Sequence, residues 1–354
     1  MTMRFFLTLL WCYLLATCAG YLAYSLNLPL PWMIGPLVIT AAFNLLVRPV
    51  NIPVRTRPVG QMIVAAQVGL FFTGDAVSAI YGHGFAILGV ALCTILFGLS
   101  LSYLLRRISN ADPVTAFLSC MPGTPVEMGN LAIRYGGDPG PVIFAQTLRI
   151  STIVLLIPTT LYYLLDTPAG GRALTAQPVD PMGMLFMSAG AVATSLLFYT
   201  LKINSPFFLG ALTFSCIATA TGVIPVSGFP WEMVAFAQIL LGTWLGSTFR
   251  RELFQQAGRL VVAICITSAL LLLLCTAFAL LLSYFTDMDW KALVLGAAPG
   301  SITEMSLTAQ FLHQDVALIT AFHLVRIFMI LPNVPWMLAL IHRRANKLAQ
   351  TTDS

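Results

Sequence analysis

The sequence predicts an all-α polytopic membrane protein made of two tandem repeats. Hydrophobic residues make up 58 % of the 354 residues and charged residues 9 %, whereas a soluble domain carries about 25 % charged residues. Apolar runs of about twenty residues, the length of a membrane-spanning helix, follow one another along the chain. A transmembrane barrel would instead show alternating strands of about ten residues. Lys and Arg stand in short clusters between the apolar runs, which is typical of membrane loops and not of a nucleic-acid surface.

The repeat is visible as a duplicated motif. Pro122–Met128, with the sequence PGTPVEM, returns 177 residues later as Pro299–Met305, with the sequence PGSITEM. The register then continues without a gap, and ten of the 37 aligned positions that begin with this motif are identical. Because 177 is half of 354, the sequence predicts one membrane repeat over residues 1–177 and a second over residues 178–354.

Each half contains six apolar segments. Those of the first half are Phe5–Tyr24, Leu30–Val47, Gln61–Ile80, Phe85–Leu105, Val114–Ile133 and Val142–Leu165. Those of the second half are Met182–Leu201, Phe207–Val223, Met233–Phe249, Leu260–Phe285, Ala292–Phe311 and Val316–Ile341. The fifth segment of each half contains a Pro-Gly pair, which predicts a helix that is broken or re-enters the membrane.

The placement of the 18 Lys and Arg residues distinguishes two topologies. If all twelve segments cross, eleven basic residues lie inside and five outside. If each broken segment re-enters, fourteen lie inside, Arg172 and Lys291 lie outside, and Arg149 and Arg326 lie within the membrane. Fourteen to two fits the positive-inside rule better. With five crossings per half the second repeat is inverted, so the sequence favours ten crossings with both termini in the cytoplasm.

Each half also places an acid and a base deep in apolar sequence. Glu127 and Arg149 each lie eleven residues from Asp138, which is in a turn rich in Gly and Pro. At a helical rise of 1.5 Å per residue both lie roughly 16 Å from the turn, about half of the hydrocarbon core. Glu304 and Arg326 repeat this spacing in the second half. Because buried charges need compensation, we expect each glutamate to neutralise the arginine of its own half.

The Pro-Gly pairs supply the remaining part of the candidate site. Thr124 and Ser301 follow them and can cap the next helix, whose N–H groups would then point into the membrane interior and favour an anion or a carboxylate. The candidate substrate- and ion-binding residues are Pro122, Gly123, Thr124, Glu127, Gln146, Arg149, Pro299, Gly300, Ser301, Glu304, His323 and Arg326.

Structural roles are open for several of these residues. Glu127 and Glu304 each follow a capping residue by three positions, which matches a capping box in which the glutamate only binds a backbone N–H. The two arginines can be simple counter-ions of the glutamates. His323 aligns with Gln146 and either joins a proton path or is a packed helix residue.

The doubled Pro-Gly-x-x-x-x-Met motif, its downstream Asp and Arg residues, and the sequence PWMIGP at Pro31–Pro36 resemble the AbrB-type duplicated membrane family of bacteria. Members also carry the labels ammonia monooxygenase and regulator. The resemblance covers nearly the whole chain. It implies a multi-pass protein of the bacterial inner membrane whose wider relatives are antiporter-like and anion-transporter-like inverted-repeat carriers.

Three functions are therefore considered. We expect a secondary transporter of a small solute, with an anion favoured and the site at the membrane midplane where the two Pro-Gly breaks meet. The alternative is a membrane-embedded regulator of gene expression. An ammonia monooxygenase is the least favoured, because the four histidines are scattered and form no cluster for copper or iron. The expected partners are the lipid bilayer, a small-molecule or ion substrate and a second copy of the chain in a homodimer, with no cofactor, metal, enzymatic activity or nucleic acid.

Overall fold

The structure is a computed structural model that describes residues 2–47, 49–50, 52–53, 55–164, 179–222, 226–249, 251 and 258–339. Within these ranges the chain forms fifteen helices and no strand. In chain order they are α1 (Thr2–Ser25), α2 (Pro31–Leu46), α3 (Thr56–Gly69), α4 (Gly74–Gly82), α5 (Gly84–Ser109), α6 (Pro113–Cys120), α7 (Pro125–Tyr135), α8 (Pro139–Leu164), α9 (Pro181–Thr200), α10 (Pro206–Thr221), α11 (Trp231–Ser247), α12 (Gly258–Phe285), α13 (Trp290–Ala297), α14 (Ile302–Phe311) and α15 (Val316–Ile330).

Five helices, α1, α5, α8, α9 and α12, are long and apolar enough to cross a membrane. Their outer faces carry large apolar side chains, such as Leu273 and Leu281 on α12, which are 64 % and 56 % exposed. Contiguous apolar surface of this kind is typical of contact with lipid. Helices α2, α10 and α15 are also apolar but shorter. The all-helical membrane class predicted from the composition is therefore confirmed.

The third apolar segment of the first half is bent. The sequence predicts one span over Gln61–Ile80, but α3 ends at Gly69 and α4 begins at Gly74, with 88° between the two helices. The Thr73 side chain accepts a hydrogen bond from the Ala76 N–H at 3.3 Å and caps α4. An N-cap of this kind starts a new helix even where the apolar composition continues.

Both Pro-Gly pairs interrupt their helices where the sequence predicts it. Four residues separate α6 from α7, and four separate α13 from α14. Asp112 and Asp289 cap α6 and α13 by accepting hydrogen bonds from backbone N–H groups. Thr124 caps α7 and accepts from the Glu127 N–H at 3.3 Å, so its predicted capping role is confirmed.

The helix bounds around the breaks recur at the spacing of the sequence repeat. Helices α7 and α14 begin at Pro125 and Ile302, which are 177 positions apart, and the starts of α8 and α15 have the same offset. The backbone after α7 and α14 turns in the left-handed region at Gly136 (φ 74°) and His313 (φ 53°). A left-handed residue is a common way to end a helix, and here the two halves use it at equivalent positions.

The helices form two compact units, and each unit draws on both halves of the sequence. The first unit comprises Met1–His83, Val154–Arg250 and Ile302–Thr320, and the second comprises Gly84–Ile153, Arg251–Ser301 and Ala321–Ser354. The units therefore do not coincide with the two predicted repeats. The boundary between residues 177 and 178, most of Asp166–Pro181 and most of Arg250–Arg259 lie outside the described residues.

Close backbone contacts hold the first unit together. A Cβ atom on Gly35 of α2 would lie 2.4 Å from the Ala19 carbonyl oxygen of α1, and one on Gly210 of α10 would lie 2.5 Å from the Ser195 Cα of α9. Small residues at helix crossings let backbones approach in this way and are typical of membrane helices. The two glycines occupy the same place, four residues after the proline that opens each helix.

In the second unit an apolar cluster surrounds the first break. Phe117 and Leu118 of α6, Met121 in the break and Met128 of α7 are fully buried and pack together with Ile330. Such packing fixes the positions of the backbone carbonyls at the end of α6, because dense interiors leave little room for adjustment.

Candidate functional site

Arg149 of α8 is the centre of the candidate site. Its side chain is 2 % exposed. The guanidinium donates to the carbonyl oxygens of Ser119 and Cys120 at 3.4 Å each, to that of Met121 at 3.4 Å, and through Nε to that of Pro299 at 3.1 Å. The first three carbonyls belong to the C-terminal end of α6, where helical carbonyls lack intrahelical partners. Arg149 therefore caps α6 and joins the first helix break to the second.

Gln146 lies one turn before Arg149 and holds it in place. Its Nε2 donates to the carbonyl oxygens of Leu118 and Met121 at 2.7 and 2.8 Å, and its Oε1 accepts from Nη2 of Arg149. Residues three apart on a helix lie on the same face, so the amide and the guanidinium bind the end of α6 together. Gln146 is fully buried.

Arg326 of α15 has an equivalent role at the second break. The arginine is 3 % exposed and donates to the carbonyl oxygens of Ala298 and Gly300 at 2.6 and 2.7 Å. Its Nη2 lies 2.8 Å from Nδ1 of His323, whose Nε2 lies 3.0 Å from the Leu295 carbonyl oxygen. A guanidinium only donates. Nδ1 of His323 must therefore accept, and Nε2 carries the proton that is donated to Leu295.

The arginine contacts correct one prediction. The hydrogen-bond partners of Arg149 among the described residues are carbonyl and amide oxygens, so the predicted ion pair with Glu127 is wrong. An ion pair within the described residues joins Lys291 and Asp289 at 4.0 Å. The physical reason is geometric: the end of a broken helix offers several carbonyl oxygens with partial negative charge within reach of one planar donor.

Eleven of the twelve candidate residues belong to the second unit, and Glu304 belongs to the first. Glu304 lies on α14 and is 9 % exposed, and its Oε2 is buried without a hydrogen-bond partner. Glu127 lies in the first turn of α7 and is partly exposed. Ser301 directly precedes α14. The structure thus brings the two Pro-Gly breaks, Gln146 and the arginines together and describes Glu304 within a different unit.

Three buried hydroxyl groups near the first break were missed by sequence reasoning. Ser119 on α6 and Thr147 and Ser151 on α8 have side-chain oxygens without a hydrogen-bond partner among the described residues. Thr147 and Ser151 flank Arg149 in sequence. These three polar residues in one apolar run were the signal that could have identified the two hydroxyl groups on α8. Buried polar groups without partners are uncommon and often mark a functional site.

Long apolar helices and two broken helices, with two buried cations at the breaks, define a helical membrane protein with a buried polar site. The chain belongs to the AbrB family. The model of the family described as "Transition state regulatory protein AbrB" matches residues 32–342.

Two relatives extend along almost the whole chain. A protein of Bacillus subtilis (strain 168) named "Uncharacterized protein YhjN" is 25 % identical over 359 aligned positions, which cover 94 % of this chain and 93 % of that protein. A protein of Escherichia coli (strain K12) named "Putative regulator AbrB" is 23 % identical over 330 positions, which cover 93 % of this chain and 94 % of that protein. No solved structure matches the chain.

Proposed function

We propose that the protein is a secondary transporter of a small solute, with an anion as the favoured substrate. The observation that carries the proposal is the Arg149 guanidinium, which is buried in apolar sequence and bound to carbonyl oxygens of both helix breaks. Broken helices that meet within the membrane are the typical binding sites of secondary transporters. Buried ionisable residues in membrane helices commonly mark substrate and ion pathways.

The charge of the site favours an anion. Arg149 and Arg326 each carry a full positive charge, whereas a helix C-terminus supplies only about half of an elementary negative charge. Each arginine binds the end of one short helix, so the second unit retains a positive excess in its interior. An anionic group that competes with the carbonyl oxygens for either guanidinium would remove this excess.

Glu304 supports coupling to a cation. A carboxylate with a partnerless buried oxygen is costly in low dielectric, so a bound cation would stabilise this side chain. We propose that a cation binds to Glu304 and leaves it as the substrate moves. The alternative is that Glu304 is a capping-box residue whose carboxylate only binds a backbone N–H. Ion flux distinguishes the two roles, because only the coupling role changes it.

The inverted repeat, the bacterial inner membrane and the cytoplasmic location of both termini are part of the same proposal. The fourteen-to-two distribution of basic residues supports the inversion and the location of the termini, and the recurrence of helix bounds at an offset of 177 residues supports the repeat. A homodimer is proposed as the assembly. Cysteine labelling at the termini in inside-out and right-side-out vesicles tests the orientation.

Flux measurements on proteoliposomes test the transport proposal. Acetate, succinate, glutamate and phosphate gradients are applied to liposomes that contain the purified protein, and currents are recorded on a solid-supported membrane with and without a pH gradient. Arg149→Lys keeps the charge but loses the planar fork and should reduce flux at least tenfold, an effect of about 1.4 kcal/mol on the transport barrier. Arg134→Lys is the matched control, because Arg134 is exposed at the end of α7. Currents no larger than those of protein-free liposomes for every anion would contradict the proposal.

A membrane-embedded regulator of gene expression is the second candidate. The family description and the name of the Escherichia coli relative support it. Comparison of transcripts in a strain that carries Arg149→Lys with those in the wild type separates the two candidates. A regulator that does not transport would change transcripts without any measurable flux in proteoliposomes.

A further inference from the structure

The first unit contains a cavity that the transport proposal does not use. Its volume is about 610 Å³, within the range of pockets that bind small organic molecules. It is lined by residues near the ends of α1, α8 and α14 and near the starts of α2 and α11, all of which belong to the first unit. None of the described residues that line the cavity is charged.

Aromatic rings form half of the wall. Tyr24 and Trp32 have ring centroids 6.2 Å apart and are nearly parallel, at 27°. Tyr162 and Phe311 form a second pair, with centroids 5.8 Å apart. Tyr21 and Trp231 complete the aromatic lining. Planar faces of this kind favour a flat ring, which gains stacking energy in addition to apolar burial.

Gln238 of α11 points to a ligand with a polar group. It lines the cavity, is 4 % exposed, and its amide makes no hydrogen bond to any described residue. Gln67 of α3 occupies a similar place in the third segment of the first half, since it follows Met62 by five positions as Gln238 follows Met233. Gln67 is satisfied, because its Oε1 accepts from the Phe229 N–H at 3.0 Å. The Gln238 amide is not among the buried groups that lack a partner, so it is open to the cavity and can hydrogen-bond to a ligand.

We propose that this cavity binds an uncharged planar ring that carries a carbonyl, amide or hydroxyl group. The ring stacks on Trp32 and Tyr162, and the polar group exchanges hydrogen bonds with the Gln238 amide. An anion would enter without a counter-charge, which low dielectric penalises. The inference is independent of the transport site, because the Pro-Gly breaks and the buried arginines belong to the second unit.

Two sources can supply this chemistry. The cavity lies at helix ends, where Tyr and Trp are common at the membrane interface, so the ring can be the head of a tailed lipid-soluble molecule. It can also be a free aromatic molecule from water. Binding of 2-naphthol would indicate a free aromatic molecule from water. Binding of a benzoquinone with a decyl tail would indicate a tailed lipid-soluble molecule.

Tryptophan fluorescence of the full chain in nanodiscs measures both probes. We expect at least one probe to quench fluorescence saturably, because Trp32 and Trp231 line the cavity. Gln238→Leu should weaken that binding about tenfold, the effect of one lost hydrogen bond. Trp32→Leu should weaken it by a similar factor through lost stacking. Trp336→Leu is the control, because Trp336 is 65 % exposed and does not line the cavity.

The outcomes are separable. Quenching that rises linearly with both probes is partition into lipid and overturns the proposal. Saturable binding that Gln238→Leu and Trp32→Leu leave unchanged also overturns it, since the site is then elsewhere. Gln238→Met, which removes the amide and keeps a similar length, provides a second variant with the same expected tenfold loss. Thermal unfolding confirms that each variant is folded, and Gln238→Leu should not unfold at a lower temperature than the wild type, because its amide has no hydrogen bond to a described residue to lose.

Discussion

The two helix breaks have the same geometry and different chemistry. At the first, Gln146 binds the Leu118 carbonyl and Arg149; at the second, His323 binds the Leu295 carbonyl and Arg326. Leu118 and Leu295 are themselves 177 positions apart. An amide and an imidazole can both accept from a guanidinium and donate to a carbonyl, but only the imidazole can take up a proton at ordinary pH.

The difference separates the roles of the two breaks. Protonation of His323 would turn Nδ1 into a donor that faces Nη2 of Arg326, which also holds the Gly300 carbonyl. The other titratable groups near Arg326 are Arg149 on α8 and Cys275 on α12. Gln146 has no second protonation state. Sensitivity to pH at the breaks is therefore expected from the second half and not from the first.

The largest effect is expected from removal of Arg149. Arg149→Ala removes a hydrogen bond from four carbonyl oxygens, of which only that of Met121 keeps Gln146 as a donor, and we expect a loss of about 3 kcal/mol or more in the free energy of unfolding. Hydrogen exchange should increase at both breaks, at residues 121–124 and 298–301, whereas Arg326→Ala should increase it at the second. Exchange that increases at the first break alone in Arg149→Ala would contradict the bridging role.

A second variant tests the corrected partner of Arg149. Adding Glu127→Gln to Arg149→Ala should not restore stability, because the arginine binds carbonyl oxygens and not this carboxylate. Recovery to the wild-type unfolding temperature in the double variant would show that the ion pair predicted from the sequence determines stability. Arg134→Ala, an exposed change, serves as the control for loss of one positive charge.

The two glutamines Gln67 and Gln238 should differ in their effect on stability. Gln67→Leu leaves the buried Phe229 N–H without an acceptor and should lower the free energy of unfolding by about 1–3 kcal/mol. Gln238→Leu should be neutral or slightly stabilising, because its amide has no hydrogen bond to a described residue to lose. Thermal unfolding of both variants in the same detergent measures the difference, and equal losses would contradict it.

A smaller effect is expected at the helix cap of the first break. Thr124→Ala removes the hydrogen bond to the Glu127 N–H and should cost about 1 kcal/mol, the typical value of an N-cap. Thr124→Ser should keep most of the stability, because the hydroxyl oxygen remains. A loss in Thr124→Ser as large as that in Thr124→Ala, measured by thermal unfolding, would mean that the methyl group and not the cap is responsible.

The smallest effect at neutral pH is expected for His323→Gln, which gives the second break the side chain of the first. The glutamine can keep both hydrogen bonds, so the unfolding temperature near pH 8 should change by less than about 2 °C. Acidification to about pH 5 should lower the unfolding temperature of the wild type more than that of His323→Gln. Gln146→His should increase the sensitivity to acid. Identical pH profiles for all three proteins would contradict a proton-sensitive second break.

Local chemistry explains what the sequence predicted well. A Pro-Gly pair followed by Thr124 breaks and restarts a helix wherever it stands, so both breaks and the cap could be located from the sequence alone. The polytopic helical class followed from composition. The bend within the Gln61–Ile80 segment was not predicted, because its residues stay apolar through the bend and only the capping by Thr73 distinguishes two helices from one.

The partners of long side chains could not be predicted in the same way. Arg149 and Glu127 share a depth along the chain, but the guanidinium reaches whatever the tertiary packing presents, and that is the carbonyl end of α6. The aromatic cavity likewise depends on five helix ends that are distant in sequence. Periodicity and spacing describe single helices and do not specify which of them meet.

The interleaving of the two halves has a consequence for expression and for origin. Neither residues 1–177 nor residues 178–354 contain a complete compact unit. We therefore expect that one half produced alone does not form the core of either unit. Coexpression of the halves as separate polypeptides should instead yield a complex that stays soluble in detergent, because each polypeptide supplies the helices that the other lacks in both units. If the gene arose by duplication, the single-copy ancestor had to assemble from two identical chains before any one chain could fold by itself.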